Sequence, residues 1–392
     1  MIPIWDNPSQ FLDSAPNDSL NDPRNTQETT MSQHPTPSAP SRRRTLQWGA
    51  AAATTLALPA VCAQAETVLR IGAGHPTPAL AYVLVADTFF VPEVTRRAKE
   101  KGLNVRFIKA WAGTVAKLDG IVESVQKGAL DIGLSVPAFE QSRTALLNYG
   151  QYFPFTTTDP LLQARVAMRM LKEVPALQES MKPYGLHVLA MSASENYGMM
   201  LKRDVAGIDG LKGLKLACAG ANAPWAQAVG AVPVQMPIGE NYQAIQTGLI
   251  DGNIYFATGF SAFKLHEVAK FFLLADFGSL VSNSMVMNAE KRTALPRELV
   301  AIIDEVANES SVKIAEISAK RHQDAVDANK DRVKFIPVAA ADRRRWAEAM
   351  KELPARTARE LDGKGLNGTD TFRTYVRFMK EAGHSFPFDY PV

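Results

Sequence analysis

Little in this 392-residue sequence speaks for catalysis. There are only two cysteines and six histidines. Two cysteines are too few for a disulfide scaffold or a cysteine-rich zinc module. No C-x-x-C, G-x-x-x-x-G-K-[ST] or G-x-S-x-G occurs, and Gly72-Ala73-Gly74 after the first strand lacks the third glycine of a dinucleotide turn. The three absent motifs exclude the redox pair, the phosphate loop and the nucleophile elbow. His266-Glu267 lacks the second histidine of a zinc-protease helix. The 43 basic and 40 acidic residues leave a net charge of +3, too small for a nucleic-acid footprint. Past the signal-like N-terminus, no apolar run is long enough to span a bilayer. Apolar residues still make up 46% of the chain, enough for a large core. The length fits two ordinary domains. The expectation is a non-enzymatic globular protein with no metal, no cofactor and no nucleic-acid partner.

Residues 1–40 are rich in Asn, Asp, Ser, Pro, Gln and Thr and show no apolar period, so they cannot form a core. Ser41-Arg42-Arg43-Arg44-Thr45-Leu46-Gln47 then introduces a soft apolar stretch that leads to Ala63-Gln64-Ala65. A basic segment, an apolar segment and a small-residue cut site read as a signal peptide over 41–65, cleaved near Ala65. The paired arginines resemble a twin-arginine (Tat) signal. Signal peptides start near the N-terminus, so Met31 is the expected start and 1–40 a disordered extension. Cys62 follows Val61 rather than the small residue of a lipoprotein site. The expected mature chain is soluble, covers 66–392 and keeps one cysteine, Cys218.

Residues 66–73 read as a strand ending in Gly72-Ala73-Gly74. A helical stretch then runs to about Lys101, with a kink or break expected at Pro92. Residues 105–111 are β-rich. Residues 115–127 have helical spacing, with Leu118, Ile121, Val122 and Val125 on one face. Val125-Gln126-Lys127-Gly128-Ala129-Leu130-Asp131 recurs as Ile245-Gln246-Thr247-Gly248-Leu249-Ile250-Asp251. Both copies read apolar-Gln-x-Gly-x-apolar-Asp, and both follow a β-run and a helix. Two copies in matching contexts indicate two α/β lobes of one design. Residues 186–191 and 197–202 read as two strands. The longest helical pattern covers 298–330, roughly 50 Å at 1.5 Å per residue, and should span both lobes. A strand over 333–338 and helices over 341–352 and 369–381 finish the chain. The expected fold class is α/β, two-lobed, with a ligand cleft between the lobes. Ligands of open α/β sheets bind beyond the carboxyl ends of strands, here 72–75, 110–114, 135–139, 217–220 and 253–256. His75 in such a place is either a cleft residue or a loop histidine with a satisfied hydrogen bond. Cys218 is either a nucleophile or, as a lone cysteine more often is, a small buried hydrophobe.

Four ordered segments carry a family resemblance. They are Gly210-Leu211-Lys212-Gly213-Leu214-Lys215-Leu216, Val229-Gly230-Ala231-Val232-Pro233-Val234, Glu240-Asn241-Tyr242-Gln243-Ala244-Ile245-Gln246-Thr247-Gly248 and Asp251-Gly252. Together they resemble the solute-binding proteins of TRAP (tripartite ATP-independent periplasmic) transporters, the dicarboxylate-binding-protein (DctP) family. The resemblance implies a periplasmic, monomeric protein of organic acid transport. It would close around a small solute and deliver it to a membrane permease, without catalysis. It also implies lobes of 66–193 plus 281–320 and 194–280 plus 321–392. Family members carry an arginine after K-[IL] that forks onto the ligand carboxylate; here that position is Ala217. A second family arginine, in a G-x-R pattern, falls on Met200, with Tyr197 beside it. Tyr255 stands near a further ligand-contacting position. Trp111, Tyr197, Trp225, Tyr255 and Phe256 all fall at or next to the expected cleft. With His75, Ala217 and Cys218 they form the candidate ligand-binding set. Such a wall suits a planar solute that is uncharged, weakly acidic or cationic. Two rivals share the scaffold: a ligand sensor reporting to a membrane receptor, and a periplasmic enzyme using Cys218 or His75.

Overall fold

The computed structural model describes residues 66–392; the signal-peptide, cleavage-site and Met31 readings lie outside the described residues. Among these residues, nine strands form one mixed sheet. They are β1 (Thr67–Ala73), β2 (Val105–Ala110), β3 (Ile132–Ser135), β4 (Leu186–Leu201), β5 (Lys215–Cys218), β6 (Val232–Gln235), β7 (Gly252–Phe256), β8 (Phe271–Asn288) and β9 (Lys334–Pro337). Their order is β2-β1-β3-β8-β4-β7-β5-β6, with β9 beside β8. One wing, β2-β1-β3, is parallel, and so is the other, β7-β5-β6. The two long antiparallel strands β4 and β8 join them. The result is a two-lobed α/β fold.

The repeated segment does the same work in each wing. Gly128 and Gly248 take positive φ, 71° and 79°, and end their helices. Asp131 then accepts the Arg70 backbone N–H at 2.7 Å, in the middle of β1. Asp251 accepts the Lys215 backbone N–H at 2.8 Å, at the start of β5. Each aspartate thus clamps the neighbouring parallel strand through a charge-assisted hydrogen bond. The pattern is a structural device for building a parallel pair, used twice.

Two sequence readings need correction. Residues 186–191 and 197–202 belong to one 16-residue strand, β4. Its polar middle, Ser192-Ala193-Ser194-Glu195-Asn196, reads as a loop because such residues have little intrinsic β preference. Pairing with β8 holds it extended, with register shifts at Ser192/Ala193 and Ala193/Asn196. The helix expected over 115–127 is only Ile121–Gln126. Residues 112–120 form a loop whose Leu118 is buried over Gly74, so that apolar residue serves loop packing. The helix starts where the Glu140 carboxylate accepts the Val122 N–H at 2.9 Å. Helices Pro160–Glu173 and Leu353–Asp362 and the 18-residue β8 were not read from sequence.

Other readings agree with the structure. A five-residue π-helical segment, Ala86–Phe90, is separated from Pro92 only by Val91. It absorbs the hydrogen bond that proline cannot make. The long helix runs Arg297–Asn329, 33 residues. It packs on β4, with the Ser311 hydroxyl bonded to the Met191 carbonyl at 3.0 Å. No helix among the described residues is long and apolar enough to cross a membrane.

Candidate solute-binding site

A cavity of about 770 Å³, counting its mouth, lies where the irregular middle of β4 meets the carboxyl ends of β5 and β7. Loops after β1 and β3 and the long helix close its other sides. Of the eight candidate residues, the structure brings six to its wall: His75, Tyr197, Ala217, Cys218, Tyr255 and Phe256. Trp111 and Trp225 stand elsewhere. The Trp111 indole N–H donates to Asp87 Oδ1 at 3.1 Å, beside the Lys109–Asp87 ion pair. Trp225 is fully buried behind the wall. Its N–H donates to the Gln151 carbonyl at 3.2 Å, and its ring lies 4.7 Å from that of Phe277.

The aromatic wall is mutually braced. The Tyr197 ring meets Trp225 at 5.8 Å and Phe256 at 5.4 Å, both edge to face. Tyr255 and Phe256 stack at 4.0 Å. Such contacts fix the rings beyond what burial alone does.

The polar groups are few and mostly spent within the protein. Asn222 Nδ2 donates to Gln151 Oε1 at 2.8 Å, and Gln151 Nε2 donates to the Val281 carbonyl. The Ser194 hydroxyl is taken up by backbone carbonyls. Two wholly buried lining atoms have no partner among the described residues, His75 Nε2 and Asn241 Oδ1. His75 Nδ1 lies 2.7 Å from the Tyr82 hydroxyl. Burial pushes the His75 pKa down to about 4, so the ring is neutral at ordinary pH. The bland reading of His75, a satisfied loop histidine, therefore covers only half of its ring.

Sequence reasoning missed Glu195. It is 3% exposed and lines the cavity. Thr258 Oγ1 donates to its Oε2 at 2.7 Å. Burial pushes its carboxyl up to about 8, against the lowering effect of the Thr258 hydrogen bonds and Arg321. The signal available was a lone acid between strand-like halves, which reads as a solvated loop residue until those halves become one strand.

Ala217 faces the cavity, and Met200 is packed in the core. The described lining contains no arginine and no lysine. Burial pushes the Cys218 thiol up to about 12. A thiol near 12 carries on the order of a thousand-fold less thiolate at neutral pH than one near its ordinary value. Cys218 is therefore expected to react with iodoacetamide at pH 8 at least a hundred-fold more slowly in the native chain than in urea. Rapid native alkylation would refute the buried-thiol assignment and revive the nucleophile reading. Among the described residues, no group of three or more His, Cys, Asp and Glu side chains could hold a metal ion.

A two-lobed fold with an aromatic-walled cavity at the carboxyl ends of its strands is that of a solute receptor. Residues 103–360 match the family model of the bacterial extracellular solute-binding proteins, family 7 (DctP). The chain belongs to this family, whose members bind small solutes in organic acid transport and work with TRAP membrane permeases. A solute-binding protein of Sulfitobacter sp. (strain NAS-14.1) is 25% identical over 249 residues, 56% of this chain and 75% of that one. A TRAP solute-binding protein from Rhodoferax ferrireducens, solved with copurified benzoate, superposes with a TM-score of 0.71 at 19% identity. That match covers 81% of this chain and 98% of the other. DctP7 of Bordetella pertussis, an extracytoplasmic receptor binding pyroglutamic acid, gives 0.67 at 18% identity, covering 78% and 99%.

Proposed function

We propose that this chain is exported to the periplasm, captures a small organic acid in the cavity and hands it to the membrane subunits of a TRAP permease. The observation that carries the reading is the aromatic-walled cavity, built by both wings of the sheet, in a chain of this family. His75, Tyr197, Ala217, Cys218, Tyr255 and Phe256 form its binding wall, and the aromatic faces suit an acid with a compact planar body. Similar receptors holding benzoate and pyroglutamate support that ligand class. The lobe boundaries we propose, 193/194 and 280/281, cross β4 and β8 beside the register shift at Ala193/Asn196, which suits a hinge. The chain acts as a monomer with a signal peptide cleaved near Ala65.

Mass spectrometry of the protein purified gently from periplasm, first native and then denatured, tests the reading. The expected result is one released organic acid at about one per chain. A bare chain that also shows no thermal shift with benzoate, pyroglutamate, succinate or benzylamine would overturn it.

A further inference from the structure

The cavity poses a problem that its family membership does not answer. An organic acid arrives as a carboxylate, and an unpaired buried carboxylate is strongly disfavoured. The described wall supplies no arginine or lysine to pair with it. What it supplies is a carboxyl of its own, at the centre of β4. We infer that Glu195 holds the ligand in its protonated form, its Oε1 hydroxyl donating to the ligand carboxylate in place of a cation. This rests on the organic-acid reading above.

The geometry assigns the proton. Thr258 donates to Oε2, which makes Oε2 the carbonyl-like oxygen of the neutral acid. No side chain among the described residues bonds Oε1, which is left to carry the hydroxyl. An O–H···O⁻ bond of this kind is short and among the stronger hydrogen bonds proteins make. The two charge states also support each other. A bound carboxylate raises the cost of ionising Glu195, and a protonated Glu195 lowers the cost of burying the carboxylate. His75 Nδ1 is taken up by the Tyr82 hydroxyl, which leaves Nε2 as a second unspent polar atom in the same wall.

The neighbours of Glu195 leave it as the group that titrates first above neutrality. From the long helix, His322 Nδ1 lies 3.9 Å from Oε2, and burial lowers its pKa, so it is neutral. Arg321 on the same helix acts at a distance, with its guanidinium bonded to the carbonyls of Pro78 and Ala79. Asp276 of β8 faces His322 and pulls its pKa back up. Burial raises the phenols of Tyr197 and Tyr255 above their ordinary value. The helix Thr258–Ala262 contributes the Thr258 hydroxyl and no charge.

The sign of the pH effect follows. Free Glu195 titrates near 8. Below that pH it is already protonated and affinity is flat. Above it, binding must take up a proton, so affinity falls about tenfold per pH unit. The test is calorimetric titration of the purified chain with benzoate, pyroglutamate and benzylamine from pH 6 to 9.5. The expected result is acid affinity constant to about pH 7.5 and weaker by roughly 30-fold at 9.5. Glu195→Gln keeps a neutral donor and cannot ionise. It should bind the acid within about fivefold of wild type at pH 7 and remain flat to 9.5. The wild-type profile needs no variant, so a misfolded Glu195→Gln leaves the test intact. A flat wild-type profile would overturn the inference, as would a folded Glu195→Gln that no longer binds acid. Benzylamine binding that strengthens through pH 8 would replace it with a Glu195 carboxylate facing a cation, leaving the receptor reading standing. Binding of no probe, with a bare chain in native mass spectrometry, would remove both.

Discussion

Gly252→Val is expected to yield little or no folded protein. A Cβ at this position would stand 2.2 Å from the Met200 carbonyl oxygen and 3.0–3.1 Å from Leu201 atoms. The first is a backbone atom in a strand paired on both sides, β4 between β7 and β8, so it cannot swing away. Relief requires β7 to separate from β4. The β4–β7 ladder holds Tyr197 opposite Phe256 and Gly198 opposite Tyr255, so separation would also dismantle the cavity wall. Overpacking against fixed backbone exceeds the ordinary 1–3 kcal/mol of a crowded core, and we expect a loss above about 4 kcal/mol. Urea unfolding or the soluble yield measures it. A soluble Gly252→Val chain with a wild-type midpoint would refute the close approach. The same contact explains the Asp251-Gly252 pair. The aspartate clamps β5 by its side chain, and the glycine lets β4 pass on the other side.

Trp225→Ala should cost about 3–5 kcal/mol, the usual penalty for emptying a large buried aromatic site. The indole is wholly buried, and its N–H satisfies the Gln151 carbonyl. Its own carbonyl accepts the Trp346 N–H at 2.9 Å, and Phe277 lies between the two indoles, 4.7 Å from one and 4.9 Å from the other. Removing the ring leaves a void at the junction of the C-terminal helices with the sheet. The thermal midpoint of the ligand-free chain is the deciding measurement. A residue of the cavity wall would instead lose affinity and leave that midpoint nearly unchanged.

The aromatic reading of the site was legible in part, and the reason is local. Tyr255 and Phe256 stand at the carboxyl end of a strand visible in the sequence, and a strand end projects into a cleft wherever such a sheet has one. Trp225 and Trp111 also lie just past strands, but each has a specific polar partner elsewhere, Gln151 and Asp87. Position along the chain does not reveal which way an indole turns. Glu195 stayed hidden for a different reason. Its neighbours are small and polar, and only pairing with β8 makes them a strand.

The sequence alone determined the repeated helix–glycine–aspartate unit, the long helix, the α/β class and the family. Each depends on periodicity, on glycine's access to positive φ, or on a motif short enough to read along the chain. The tertiary structure decided that β4 and β8 each run unbroken through the sheet, and that the one acid in the cavity wall is buried beside a hydroxyl rather than a cation. Both are consequences of non-local pairing. A strand of low intrinsic preference forms when its neighbours satisfy its backbone, and a carboxyl keeps its proton when packing excludes water and supplies no opposing charge.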